Sequence, residues 1–148
     1  MTRAPLSHAA FAFLATVWFG VLLGVAFLAT PVKFQAPSLN LPVALDVGRA
    51  TFALLSKVEW GLGALLFAGA LAAGRRVWIA AAVGLAALLA VQALWLLPVL
   101  DARVSLIIAG RPVAPSNFHL AYIAVDVVKA LTLLGLSLGA FDGLRGPR

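Results

Sequence analysis

At 148 residues the chain has the length of one domain, and 64% of it is hydrophobic against 11% charged, far from the roughly 45–50% and about 25% of soluble domains. It has no cysteine and its single methionine is Met1, which excludes disulfides, iron–sulfur clusters, thiolate zinc sites and methionine-rich copper sites. The net charge of +6 comes from cations scattered at the ends of apolar runs rather than in a stripe, so nucleic acid is excluded as a partner and membrane lipid is expected.

Four nearly uncharged runs, 9–30, 50–73, 77–100 and 118–141, are each 22 to 24 residues long. A helix rising about 1.5 Å per residue needs about 20 residues to cross a hydrocarbon layer of roughly 30 Å. The pattern predicts an all-α, integral membrane four-helix bundle of up-down-up-down topology, with residues 1–148 forming a single transmembrane domain. The first run exceeds the about 7–15 residues of a signal-peptide core, so it is expected to stay as an anchor. Within it Thr16, Gly20 and Gly24 form a strip of small residues that lets another helix approach closely, expected inside the bundle rather than in a dimer.

The next link contains Pro31, Pro37 and Pro42. Asn40 ahead of Pro42 reads as a cap and first turn, so the second helix is expected to begin as a short interfacial segment that bends into the membrane at Gly48. Gly74-Arg75-Arg76 leaves room only for a tight antiparallel hairpin between the second and third runs. Pro98 should kink the third helix near its end, and Gly110 and Pro112 should stop any extension past Asp101. Pro115, Ser116 and Asn117 then start the fourth helix.

Arg3, Arg75, Arg76, Arg145 and Arg148 flank the runs on one side, and Lys33, Arg49, Arg103 and Arg111 on the other. The Arg75-Arg76 pair sits in a very short turn, where positive charge holds a segment inside, so both termini are expected in the cytoplasm and the protein in the plasma membrane.

Inside the runs lie Lys57 and Glu59 on the second helix and Asp126 and Lys129 on the fourth. At a bilayer centre each charge costs about 2.5–3.5 kcal/mol, so such residues face one another or a wet cavity. Counted from Arg49 and His119, all four fall roughly 10–15 Å below the outer ends, and Gln92 on the third helix reaches a similar level. They are expected to form one neutral buried layer. His119, Tyr122, Asp126 and Lys129 recur at helical spacing and descend one face from the outer surface, where Arg49 also lies. Glu59 and Lys129 are the expected interhelical pair, leaving Lys57 to meet Asp126 or to snorkel outward.

His8 and His119 should lie about a bilayer apart, on the order of 30 Å, which excludes haem held by both. No Ser-His-Asp spacing, HExxH, phosphate loop or dinucleotide fingerprint occurs, so catalysis, metal and cofactor are not expected.

Gly20-x-x-x-Gly24 leading to Pro31-x-x-Phe34, then Gly48-Arg49 with Phe52, and a closing His119-x-x-Tyr122 with Asp126 and Lys129, resembles small bacterial four-helix membrane proteins of unknown function. These are distantly similar in layout to copper-resistance D-type membrane domains. The resemblance implies the topology and the polar layer; copper handling would require metal ligands, and cysteine and internal methionine are absent here.

Two functional expectations stand. One is a structural or accessory subunit of a membrane assembly, without catalysis of its own, locked by its charge layer. The other is a proton-coupled small-molecule or ion transporter acting as a homo-oligomer, in which Glu59 or Asp126 exchanges protons.

Overall fold

The computed structural model describes residues 3–144, with side chains over 7–143. Arg145 and Arg148, used above for orientation, lie outside the described residues, as does the Arg3 side chain. The described residues are helical throughout apart from the links, and four helices are long and apolar enough to cross a membrane.

Helix α1 runs as α-helix over Arg3–Leu22, widens to π-helix over Leu23–Ala29, and closes as α-helix over Thr30–Lys33. Helix α2 is unbroken over Leu41–Ala73. Helix α3 covers Arg76–Val91, a π-helical Gln92–Leu96, and Leu97–Ile108. Helix α4 is Phe118–Leu144.

Proline explains where the helices widen. A proline inside a helix lacks its N–H, and its ring collides with the carbonyl four residues back. For Pro31 and Pro98 those carbonyls belong to Phe27 and Leu94, which sit inside the two π segments. A π turn moves the carbonyl out of the ring's way. The Thr30 backbone N–H donates to the Val25 carbonyl five residues back, and the Thr30 hydroxyl donates to the same carbonyl at 2.8 Å. Pro31 is therefore carried inside α1 and does not end it.

The ends of the helices also differ from expectation. The first turns of α2 are not set off from the rest by a break at Gly48: the Asn40 side chain accepts from the Val43 N–H at 3.0 Å, Pro42 occupies the first turn, and the helix continues through Gly48. An interior glycine weakens a helix by about 1 kcal/mol without breaking it. Gly48 is buried, and a β-carbon there would overlap the Lys33 ammonium. Its bareness makes space for that lysine rather than for a bend.

Helix α3 extends past Asp101 to Ile108 and ends at Gly110, whose φ of +68° closes the helix. The Gly110 N–H donates to Ile107 at 3.0 Å and the Arg111 N–H to Leu106 at 2.9 Å, a Schellman closure. Gly74, at φ +66°, makes the turn between α2 and α3.

The core is a stripe from each helix: Phe11, Ala15, Trp18 and Leu22 on α1, Leu66 and Ala70 on α2, Trp78, Leu85 and Leu89 on α3, and Leu133, Leu136 and Ala140 on α4. These recur three, four or seven apart, as one helical face requires. The opposite faces are also apolar: Phe13, Leu54, Leu65, Leu94 and Leu131 are all exposed.

Cross-helix contacts step in opposite senses along their partners. His8 lies beside Gly143 while Thr16 reaches Ser137; Phe11 lies beside Gly69 while Trp18 reaches Glu59; Trp95 meets Phe118 while Gln92 reaches Asp126.

The small-residue strip on α1 does not serve as expected. Nothing lies within 4 Å of a β-carbon built at Gly20 or Gly24. Only Thr16 makes a cross-helix bond, its hydroxyl 2.6 Å from that of Ser137. The large inward residues Phe11, Trp18 and Leu22 fix which side of α1 faces the bundle, and Gly20, two positions after Trp18, points away. Close approach is provided on α2 instead, where a β-carbon at Gly63 would sit 3.4 Å from the Trp18 ring and one at Gly69 3.6 Å from Phe11.

Candidate functional site

One buried polar cluster draws a side chain from every helix. Glu59 on α2 accepts through Oε1 from the Lys129 ammonium at 2.6 Å and from the Trp18 indole N–H at 2.9 Å. Lys129 also lies 3.0 Å from Asp126 Oδ1, one turn earlier on α4. Asp126 Oδ1 accepts from the Gln92 amide at 2.8 Å, and that amide also reaches the Tyr122 carbonyl at 3.4 Å. Lys129 is 0% exposed, Glu59 1%, and Asp126 and Gln92 2% each, so the charges depend chiefly on protein partners. Buried charges persist only when paired and hydrogen-bonded, and here the ammonium bridges two carboxylates while neutral donors from α1 and α3 complete the shell.

Lys57 does not belong to this cluster. It is exposed, and makes no ion pair among the described residues. Lys57 and Glu59 are two residues apart and hence on nearly opposite sides of α2; Glu59 faces inward, and Asp126 is satisfied by Lys129 and Gln92. The expected neutral layer of two positive and two negative residues is thus corrected to two carboxylates around one ammonium. Fully ionised, that set carries one negative charge in excess, and a single proton neutralises it. Gln92 Oε1 is buried with no protein partner, an acceptor left free beside the same carboxylate.

The cluster is not sealed. A cavity of about 560 Å³ opens above it, and Asp126 lines both the cavity and the ion cluster. The upper part of α1 contributes Phe27 and Lys33, α2 contributes Arg49 and Phe52, α3 contributes Asp101 and Arg103, and α4 contributes His119, Tyr122 and Asp126. His119 is exposed and Tyr122 buried, its ring edge-on to Phe52 at 5.3 Å. The descending face expected on α4 is therefore the cavity wall down to Asp126, with Lys129 one step further in. Arg49 is ion-paired to Asp46 and donates to the Ser105 hydroxyl at 3.0 Å.

His8 lies at the opposite end of the bundle, its ring 4.8 Å from that of Trp78, so the two histidines do not share a site. Among the described residues no group of three His, Cys, Asp or Glu side chains could hold a metal ion.

Trp18, Lys33, Asp101 and Arg103 were not singled out as site residues from the sequence. A buried indole N–H needs an acceptor, but its sequence position does not reveal which one. Lys33 and Arg103 read as flanking charges because the helices that carry them are longer than their uncharged runs.

Comparison with protein-family models, with curated proteins and with solved structures finds no match for the chain. Its function has to be read from the site's own geometry.

Proposed function

We propose that the chain is a multi-pass protein of the plasma membrane, threaded up-down-up-down with both termini in the cytoplasm, and that it binds a small molecule and transports it coupled to protons. Four long apolar helices with apolar outward faces support the membrane reading. The opposed stepping of the cross-helix contacts supports the topology, and Arg75-Arg76 in the short turn supports the orientation. The likeness in layout to small four-helix bacterial membrane proteins belongs to the same proposal.

The observation that carries the functional part is the position of Asp126. It lines a cavity large enough for a small molecule and is joined through Lys129 to Glu59, so a change in cavity contents acts directly on a cluster with one more carboxylate than ammonium. A structural or accessory subunit would use the charges as a lock, but a lock has no need of a cavity ending on one of them. Beyond Asp126 the helices are filled by the apolar core, so the through path is completed by rocking against a second copy of the chain.

The test is proton movement in vesicles holding the purified protein and a trapped pH-sensitive dye, with permanently charged alkyl anions and cations presented outside. At least one class should drive proton movement above that of protein-free vesicles, and Asp126→Asn or Glu59→Gln should reduce it at least tenfold while the protein stays helical and monodisperse. Wild-type vesicles that behave like protein-free ones with every compound, or variants that retain full flux, would return the protein to the accessory reading.

A further inference from the structure

Resting on that reading of the cavity, we infer that its ligand is an amphiphilic anion, an acidic head on an apolar body, with Lys33 as the counter-charge that receives the head. The charged residues of the wall are Lys33, Arg49 and Arg103 against Asp101 and Asp126, with His119 at the mouth. Two of the cations are already engaged: Arg49 holds Asp46, and Arg103 donates to the Ala114 carbonyl. Asp126 is held by Lys129 and Gln92. Lys33 has no ion pair among the described residues; the Asp101 carboxylate has none either, but it lies in the field of Arg49. Its ammonium lies 5.0 Å from the Phe34 ring centroid and fills the space left bare by buried Gly48, in a half-buried setting.

A cation so placed is costly unless a counter-charge arrives, and the anionic group that supplies it must enter among apolar side chains. Phe27, Phe34, Phe52, Leu97, Leu100 and Ile123 make most of the remaining wall apolar, and its neutral polar side chains are Thr30, Ser116 and Tyr122. A volume of about 560 Å³ lies within the roughly 300–1,000 Å³ of small-molecule sites. A carboxylate, sulfonate or phosphate head on a hydrocarbon body meets all of these conditions. An amphiphilic cation would find only Asp101 open to it, in a wall where Lys33, Arg49 and Arg103 outnumber the carboxylates and Asp126 is already held by Lys129.

The experiment uses the full chain in phosphatidylcholine nanodiscs and two probes of fixed charge and equal chain length, decane-1-sulfonate and decyltrimethylammonium. Binding is measured by calorimetry with empty discs subtracted. Decane-1-sulfonate should bind at least tenfold more tightly than the cation. Lys33→Met should remove at least tenfold of that affinity, and Lys33→Arg should restore it to within about threefold. Gly48→Ala, which displaces the lysine end without changing charge, should weaken binding severalfold with the melting temperature nearly unchanged.

Equal binding of both probes, or full affinity in Lys33→Met, would overturn the assignment. Repeating the titration in discs containing phosphatidylglycerol distinguishes the source of the head: lower apparent affinity for the sulfonate identifies a membrane lipid as occupant, and unchanged affinity a free amphiphile. The two proposals fail separately. Proton movement driven by decyltrimethylammonium alone keeps the proton linkage and removes the anion, whereas Lys33-dependent sulfonate binding without proton movement does the reverse.

Discussion

The two ends of this bundle are built on opposite principles. Around the 74–76 turn, Phe11 stacks on Trp78 with ring centres 4.1 Å apart and planes within 5°, the Arg75 guanidinium lies 4.8 Å from the Trp78 ring centroid, and four inward stripes close on one another. At the other end the same helices enclose a cavity with charged walls. The apolar half stabilises the fold, so that the open half can carry an uneven set of charges and an unfilled space. The Trp18–Glu59 bond ties the two halves together, joining a core side chain to the charge cluster.

Substitutions can break this contrast, and the largest effect is expected at the boundary. Lys129→Met leaves two buried carboxylates without their ammonium and should destabilise the protein by about 3–5 kcal/mol, read by thermal unfolding in detergent. Combining it with Glu59→Gln and Asp126→Asn should recover most of the loss; no recovery would mean that the lysine acts by packing and not by charge. In the packed half, Phe11→Ala should cost about 3–5 kcal/mol, because both Trp78 and α2 lose a close neighbour. The same measurement on Leu100→Ala, whose side chain borders existing space, should show less than about 1 kcal/mol, and equal losses at the two sites would erase the distinction between the ends. Trp18→Phe removes one hydrogen bond to a buried carboxylate and should cost about 1.5–3 kcal/mol. The smallest effect belongs to Lys57→Met, expected within about 0.5 kcal/mol; a loss comparable to that of Lys129→Met would return Lys57 to the cluster.

How much of this was legible in the sequence follows from what residue spacing can measure. Run length gives helix length, and counting from helix ends gives height, which is why Glu59, Gln92, Asp126 and Lys129 were placed at one level and do meet. Spacing also shows that Lys57 and Glu59 point apart. It does not show which of them faces inward, because that depends on how α2 is turned against its neighbours. The same missing rotation hides that the strip touches another helix at Thr16, while no neighbour lies within 4 Å of a β-carbon at Gly20 or Gly24. The cavity was illegible for a related reason: it forms where long links and widened turns keep the helix ends apart, and no single stretch of sequence encodes a space.

The widened turns have one more effect. Each π-type hydrogen bond encloses one residue more than an α-type bond, and one residue is about 100° of rotation around a helix axis. Residues after 23–29 on α1 are therefore set at a different angle from the stripe that begins at Phe11, and α3 repeats the device at 92–96. Each of these rods is thus phased twice, once for the helices it grips and once for the space it borders. Removing a single residue from 23–29 would tighten the pitch and swing Lys33 away from Gly48 while the grip below stayed in register, which would let the cavity's charge pattern change by insertion or deletion without cost to the packed half.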